Sequence, residues 1–231
     1  STYKSMNIGW GANRSDINIV VFRASPVALF DLINPQSLKT YTGWGFLTRD
    51  GLGPLPKHNV FGAESGMVEA FLEPDRWFYV TMKAGTPGND LIQTTRAFLL
   101  GVDDGYTPRP EKEIDGRGYL VADTPFLLDI PQKVASSMIM LNEKRLDLQT
   151  KYDMADERTR TFHERSKTLV KNSGESGLAK HASILEQRDA VTYTTLNHPV
   201  LRESISEAVW GIIWYLGLLV PFAFFFEKLV F

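Results

Sequence analysis

There is no cysteine among the 231 residues. That excludes disulfides, thiol catalysis and thiolate zinc sites. A cysteine-free chain fits a bacterial envelope compartment, although many cytosolic domains lack cysteine too. An excess of one charge is also missing: 25 Lys and Arg stand against 27 Asp and Glu. The resulting pI of about 6.1 argues against a nucleic-acid partner. Histidine is scarce, and His58, His163, His181 and His198 show no metal-ligand spacing. His163-Glu164 begins like a zincin helix, but position 167 is Lys where the second histidine belongs. Asp103-Asp104-Gly105 and Asp115-Gly116 resemble calcium-loop fragments, yet Ile114 stands where the loop's closing Glu is required. There is no GxxxxGK[ST], no strand-to-helix GxGxxG and no GxSxG elbow. No metal or cofactor is expected. Paired carboxylates leave no local signature, so glycosidase-like chemistry is the hardest to exclude.

Glycine and proline are unevenly spread. Of 18 glycines, fourteen lie at or before Gly118, and ten of 12 prolines lie at or before Pro131. Gln132 to Ser173 contains neither. Both residues break helices and populate turns, which predicts strands and turns first and a long helix afterwards. Residues 16–23 alternate and are rich in Ile and Val, a strand that Pro26 ends. Residues 27–33 read as a second strand or a short helix, and 38–47 as a third strand with a glycine bulge. Residues 48–66 read as a long loop. Met67–Leu72 and residues 77–83 flank Glu73-Pro74-Asp75-Arg76 and read as a hairpin, with Phe78, Val80 and Met82 toward the core. Residues 91–100 and 117–122 are the remaining strands. This spacing predicts an antiparallel β-sandwich over residues 1–128, immunoglobulin-like or transthyretin-like.

Asp129 and Pro131 carry the chemistry of a helix start. One helix is expected over 132–170, with an imperfect coiled-coil seam through Val134, Met138, Leu141, Arg145, Leu148, Tyr152, Ala155, Thr159, Phe162, Ser166 and Leu169. Asp147 with Lys151 and Asp156 with Arg160 are favourable pairs one turn apart. Asn172-Ser173-Gly174 stops it, and a second helix is expected over 176–197. Asn197-His198-Pro199 interrupts that one, and Glu203 starts the last. The two helices before the break form a hairpin, or each packs separately on the β domain. Residues 129–199 are thus a helical stem or hairpin.

The most informative stretch is AVWGIIWYLGLLVPFAFFF, from Ala208 to Phe226, nineteen residues without a charge. At the helical rise it reaches roughly 28 Å, close to the thickness of a bilayer's hydrocarbon. It is expected to be a single transmembrane helix, with residues 200–231 as the span and its flanks. Trp210, Trp214 and Tyr215 cluster at its start, where an interfacial aromatic belt lies. Membrane helices tolerate a proline such as Pro221. Gly211 and Gly217 are not spaced as a GxxxG dimer face. Arg202 and Lys228 are too few to fix orientation by the positive-inside rule.

The chain is therefore expected to be α+β and membrane-anchored. The function expected is a non-enzymatic binding or assembly subunit that displays a β domain at a bilayer surface, with protein partners in a membrane complex. A membrane-anchored enzyme is the alternative, with a site in the 48–66 region. Trp44, Arg49, Asp50, His58 and Glu64 are its candidate residues, and Asp50 with Glu64 its candidate carboxylate pair. A structural spacer is a third reading. Trp10, Trp44, Trp77 and Tyr79 are candidates for a stacking platform. The layout resembles, in architecture alone, extracytoplasmic portions of bacterial envelope proteins and transporter-associated subunits. Ser1 and Phe231 read as cut ends of a longer protein, with an extracytoplasmic body; a complete chain would be tail-anchored with its body in the cytosol.

Overall fold

A computed structural model describes residues 21–34, 39–41, 43–50, 52–63, 66–84, 95–103, 106–109, 111–112, 114–174 and 180–230. The architecture is α+β, with small sheets followed by helices. The chain divides into two compact units, Ser1–Tyr106 with Gly116–Val134 and Thr107–Asp115 with Ala135–Phe231.

Among the described residues the first unit holds ten short strands. They are β1 (Ser25–Leu29), β2 (Ile33–Asn34), β3 (Lys39–Thr40), β4 (Gly43–Thr48), β5 (His58–Ala63), β6 (Met67–Leu72), β7 (Trp77–Ala84), β8 (Thr95–Leu99), β9 (Tyr119–Leu120) and β10 (Phe126–Leu127). One sheet has the order β10-β1-β6-β5, with β1 parallel to β10 and its other pairs antiparallel. The second has the order β4-β7-β8, with β9 also on β7, and β2 pairs with β3 separately. Burial follows the two-residue period of strands. Val68, Ala70 and Leu72 of β6 point inward, as do Phe78, Val80 and Met82 of β7. Phe46, Ala97 and Leu99 complete the buried face of the second sheet.

Several expectations change here. Residues 16–20 lie outside those described, and Val21–Arg23 carry no regular structure. Pro26 sits inside β1 rather than ending a strand. The Ala28 N–H points to the β10 side, donating to Pro125 O at 3.0 Å. Pro26, two residues earlier, lacks its N–H on that same side, where the β10 register covers only Ala28 and Leu29. The 48–66 loop is interrupted by β5. Met67–Leu72 and Trp77–Ala84 are strands, but not a hairpin: β6 pairs with β1 and β5, whereas β7 pairs with β4, β8 and β9. The turn between them is an arch from one sheet to the other. Glu73 accepts from Lys57 Nζ and Arg76 Nε, each at 3.1 Å, and these cations hold its carboxyl below the usual range.

Among the described residues the second unit is a bundle of three helices, α1 (Ile130–Lys151), α2 (Glu157–Gly174) and α3 (Lys180–Val230). The single helix expected over 132–170 is thus two. The Met154 N–H donates to Gln149 O and the Asp153 N–H to Thr150 O, with Asp153 at φ 56°. This is a Schellman ending with Asp in the left-handed position that glycine usually takes. Asp156 then caps α2, accepting from Thr159 N at 3.2 Å. The break expected at Asn197-His198-Pro199 is absent, since α3 runs continuously through Pro199 and Pro221. Side-chain bonds set the directions. Ser183 meets Ser173 and Asn197 meets Thr159, so α2 and α3 are antiparallel. Asn142 donates to Thr194 O and Gln149 to Leu201 O, so α1 and α3 run the same way. Lys144 Nζ ties the loop of this unit to α1 through Arg109 O at 2.7 Å and Lys112 O at 2.8 Å. Within that loop, buried Asp115 accepts three hydrogen bonds from Arg109.

Candidate functional site

Two features stand out: the apolar end of α3, and the polar interior of the bundle. From Val209 to Leu229 every residue is exposed. Trp210, Trp214 and Tyr215 are 60%, 70% and 68% exposed, with Phe222, Phe224, Phe225 and Phe226 beyond them. One helix in the described residues is long and apolar enough to cross a membrane, and it is α3, over Ala182–Leu229.

The bundle interior is unusually polar. On α2 the buried side chains are Thr159, His163, Ser166 and Ser173, a four-three spacing occupied by polar residues. The facing surfaces add Ser137, Asn142 and Gln149 from α1, and Gln187, Thr194, Thr195, Asn197 and His198 from α3. Most find partners within the bundle. Asn142 Nδ2 donates to Thr194 O at 2.9 Å, and Asn197 Nδ2 to Thr159 O at 2.8 Å. Gln149 Nε2 donates to Leu201 O at 3.4 Å and to the Ser204 hydroxyl. Arg145 Nη1 lies 3.0 Å and 3.2 Å from the two ring nitrogens of His198, and His198 Nδ1 lies 3.2 Å from Asn142 Oδ1. A guanidinium only donates, so these contacts fit a ring that donates from Nδ1 to Asn142 and accepts at Nε2 from Arg145. His163 differs: it is 2% exposed, and neither ring nitrogen has a hydrogen-bond partner among the described residues. Burial holds its pKa below the usual imidazole value, and Lys167 adds to this, while Glu143, Glu164 and Asp147 oppose it.

The residues singled out around 48–66 are placed as follows. Arg49 stacks over Trp77 at 4.5 Å, donates to Arg117 O at 3.2 Å and lies 3.6 Å from Asp50. The Asp50 side chain is 89% exposed. His58 Nδ1 lies 2.6 Å from Leu55 O, and its ring 6.3 Å from Phe46. Trp44 pairs across the sheet with Met82, and its indole N–H is buried without a partner among the described residues. Glu64 and Trp10 lie outside the described residues. Of the stacking candidates, Tyr79 is a core residue whose hydroxyl donates to Gly116 O, while Trp77 remains 39% exposed. The structure thus joins Arg49 with Asp50 and Trp77, and engages His58 elsewhere. Among the described residues no group of three or more His, Asp or Glu side chains is placed to hold a metal ion.

The sequence seam passes through Thr159 and Ser166 as interruptions of an apolar stripe and leaves out His163 and Ser173. The signal that finds the polar interior is the four-three spacing of Thr159, His163 and Ser166, taken up again seven residues on at Ser173.

No protein-family model, curated protein or solved structure matches this chain.

Proposed function

We propose that the chain is a membrane-anchored, non-enzymatic binding or assembly subunit that displays its β unit at a bilayer surface. The carrying observation is the continuous exposure of the apolar end of α3. A soluble protein would bury such a face, because exposed apolar surface costs free energy in proportion to its area. The run contains eleven Leu, Ile, Val or Phe residues. At about 0.3–0.6 kcal/mol each, they favour insertion by roughly 3–7 kcal/mol.

In this reading the two small sheets are the faces of a sandwich, antiparallel apart from the β1–β10 pair. The Phe46 ring of the second sheet, 6.3 Å from the His58 ring of the first, supports that packing. The body lies on the extracytoplasmic side, where a cysteine-free chain is at no disadvantage. Its partners are the bilayer and other proteins of a membrane complex. The contacts that absorb Arg49 and His58 into the fold support a binding role over catalysis in the 48–66 region.

The test is alkaline extraction of membranes from cells expressing the full chain. The full chain stays with the membrane, and a variant lacking residues 208–231 is released, soluble and folded. Release of the full chain by alkali, or retention of the truncated one, overturns the anchor.

A further inference from the structure

We infer that the turn between α1 and α2, carrying Tyr152 and Met154, rests in the headgroup layer of the membrane that α3 crosses. This inference stands on the membrane-spanning reading of α3. Register within the bundle carries it. Asn142 meets Thr194 and Gln149 meets Leu201, 52 positions apart in both cases. The two helices run the same way, so each α1 residue is level with the α3 residue 52 positions on. Tyr152 is thereby level with Ser204, which Gln149 also contacts. The apolar run starts four residues beyond Ser204, about 6 Å along the axis. A headgroup layer is about 5–8 Å deep on each side. The end of the bundle that holds this turn therefore meets the bilayer surface when the run is embedded.

The turn has the chemistry for that position. Tyr152 is 61% exposed and Met154 40%, and Leu148, one turn before Tyr152 on the same side of α1, is 42% exposed. Three large side chains exposed beside one another suit a layer with an apolar inner side and a polar outer one. Tyrosine is enriched there because its ring is amphipathic. Lys151 Nζ lies 5.7 Å from the Tyr152 ring, placing a cation beside it at phosphate level. Asp153, Asp156 and Glu157 are exposed on the same turn, which keeps insertion shallow and favours zwitterionic over anionic headgroups. The span and this turn then hold the bundle at two points, fixing its tilt.

A cysteine-free chain makes the test direct. Single cysteines replace Tyr152, Met154, Lys171 and Ile213 in separate full-length proteins. Each carries a nitroxide label and is reconstituted in phosphatidylcholine vesicles. Lys171 lies in the last turn of antiparallel α2, at the far end of the bundle, and Ile213 lies within the run. Collision with oxygen, which partitions into lipid, is compared with collision with a water-soluble nickel chelate. The expected oxygen-to-nickel ratio at Tyr152→Cys and Met154→Cys is at least twofold above that at Lys171→Cys and below that at Ile213→Cys. Ratios at both turn positions equal to Lys171→Cys, with Ile213→Cys in lipid, overturn this inference and leave the span standing. An aqueous Ile213→Cys overturns the span and this inference with it.

Discussion

His163 Nε2 lies 4.0 Å from Glu143 Oε1, an oxygen that Lys167 Nζ already holds at 2.5 Å. The imidazole therefore lies beside a carboxylate committed to another cation. Glu143, Asp147 and Glu164 favour its protonation; burial and Lys167 oppose it and prevail, so the folded pKa is below the usual 6.5. The buried face of α3 carries Ala190 and Thr194 and also titratable His198, which Arg145 contacts, and Glu186 has a buried carboxylate oxygen. The unfolded chain then binds a proton more readily than the folded one. Stability is full above the unfolded value, near pH 6.5, and is lost as pH falls from there toward the folded pKa. Urea unfolding of the full chain in detergent, followed by helix circular dichroism over about pH 5–7.5, should show this slope. His163→Leu should flatten it and stabilise the bundle by about 1–3 kcal/mol, since an unpartnered buried ring is removed. The same slope in both proteins would assign the pH dependence elsewhere.

In the β unit Gly116 is held between the Tyr79 hydroxyl and the Leu100 backbone. The phenol donates to Gly116 O at 2.9 Å, and a Cβ on Gly116 would stand 2.0 Å from Leu100 O. Backbone cannot yield as a side-chain tip does. Gly116→Ala should therefore destabilise by more than about 3 kcal/mol, in the range reserved for overpacking and backbone strain. Tyr79→Phe loses one buried hydrogen bond and should cost about 1 kcal/mol. Gly53→Ala, with nothing within 4 Å of the added methyl, serves as the neutral control. Thermal melting of the three variants gives the ranking; a mild Gly116→Ala would show that the Leu100 strand end moves aside.

These sites mark how far the sequence could be read. Met67–Leu72 and Trp77–Ala84 were legible as strands because alternation and β-branched or aromatic residues report on a strand locally. Their pairing was not legible: a four-residue turn joins a hairpin or an arch equally well, and the choice depends on β1, β4 and β5 far along the chain. The end of α1 could have been found from Asp153 and Asp156, which tolerate the left-handed and capping conformations. Within a single long helix, Asp156 reads instead as a surface charge paired with Arg160. Pro199 misled in the other direction, because a packed helix flanked by the bonds of Asn197 and His198 outweighs the loss of one N–H. The apolar run was legible without tertiary information, since its length and composition speak for themselves. The candidate residues Arg49, Asp50 and His58 were chosen for chemical type, and type alone does not say that Arg49 is claimed by Trp77 or His58 by Leu55.

The seam of α1 supplies the last prediction. A four-three ladder puts both Leu141 and Leu148 on the buried side, yet Leu141 is 1% exposed and Leu148 42%. After Arg145 the interior passes to Leu146 and Gln149, and the residue that faces α3 is Gln149, bonded to Leu201 and Ser204. The ladder slips by one position because it counts leucines, whereas the interface selects a hydrogen-bonding side chain. Leu141→Asp would bury an unpaired carboxylate and should cost several kcal/mol, or raise that carboxylate's pKa enough to keep it neutral. Phe162 packs edge-on against Tyr193 at 5.2 Å and is only partly buried, so Phe162→Asp should be intermediate. Leu148→Asp should stay within about 0.5–1 kcal/mol, as surface substitutions do. Urea midpoints of the full chain in detergent micelles separate the three. Equal losses at Leu141 and Leu148 would restore the regular ladder and displace Gln149 from the interface.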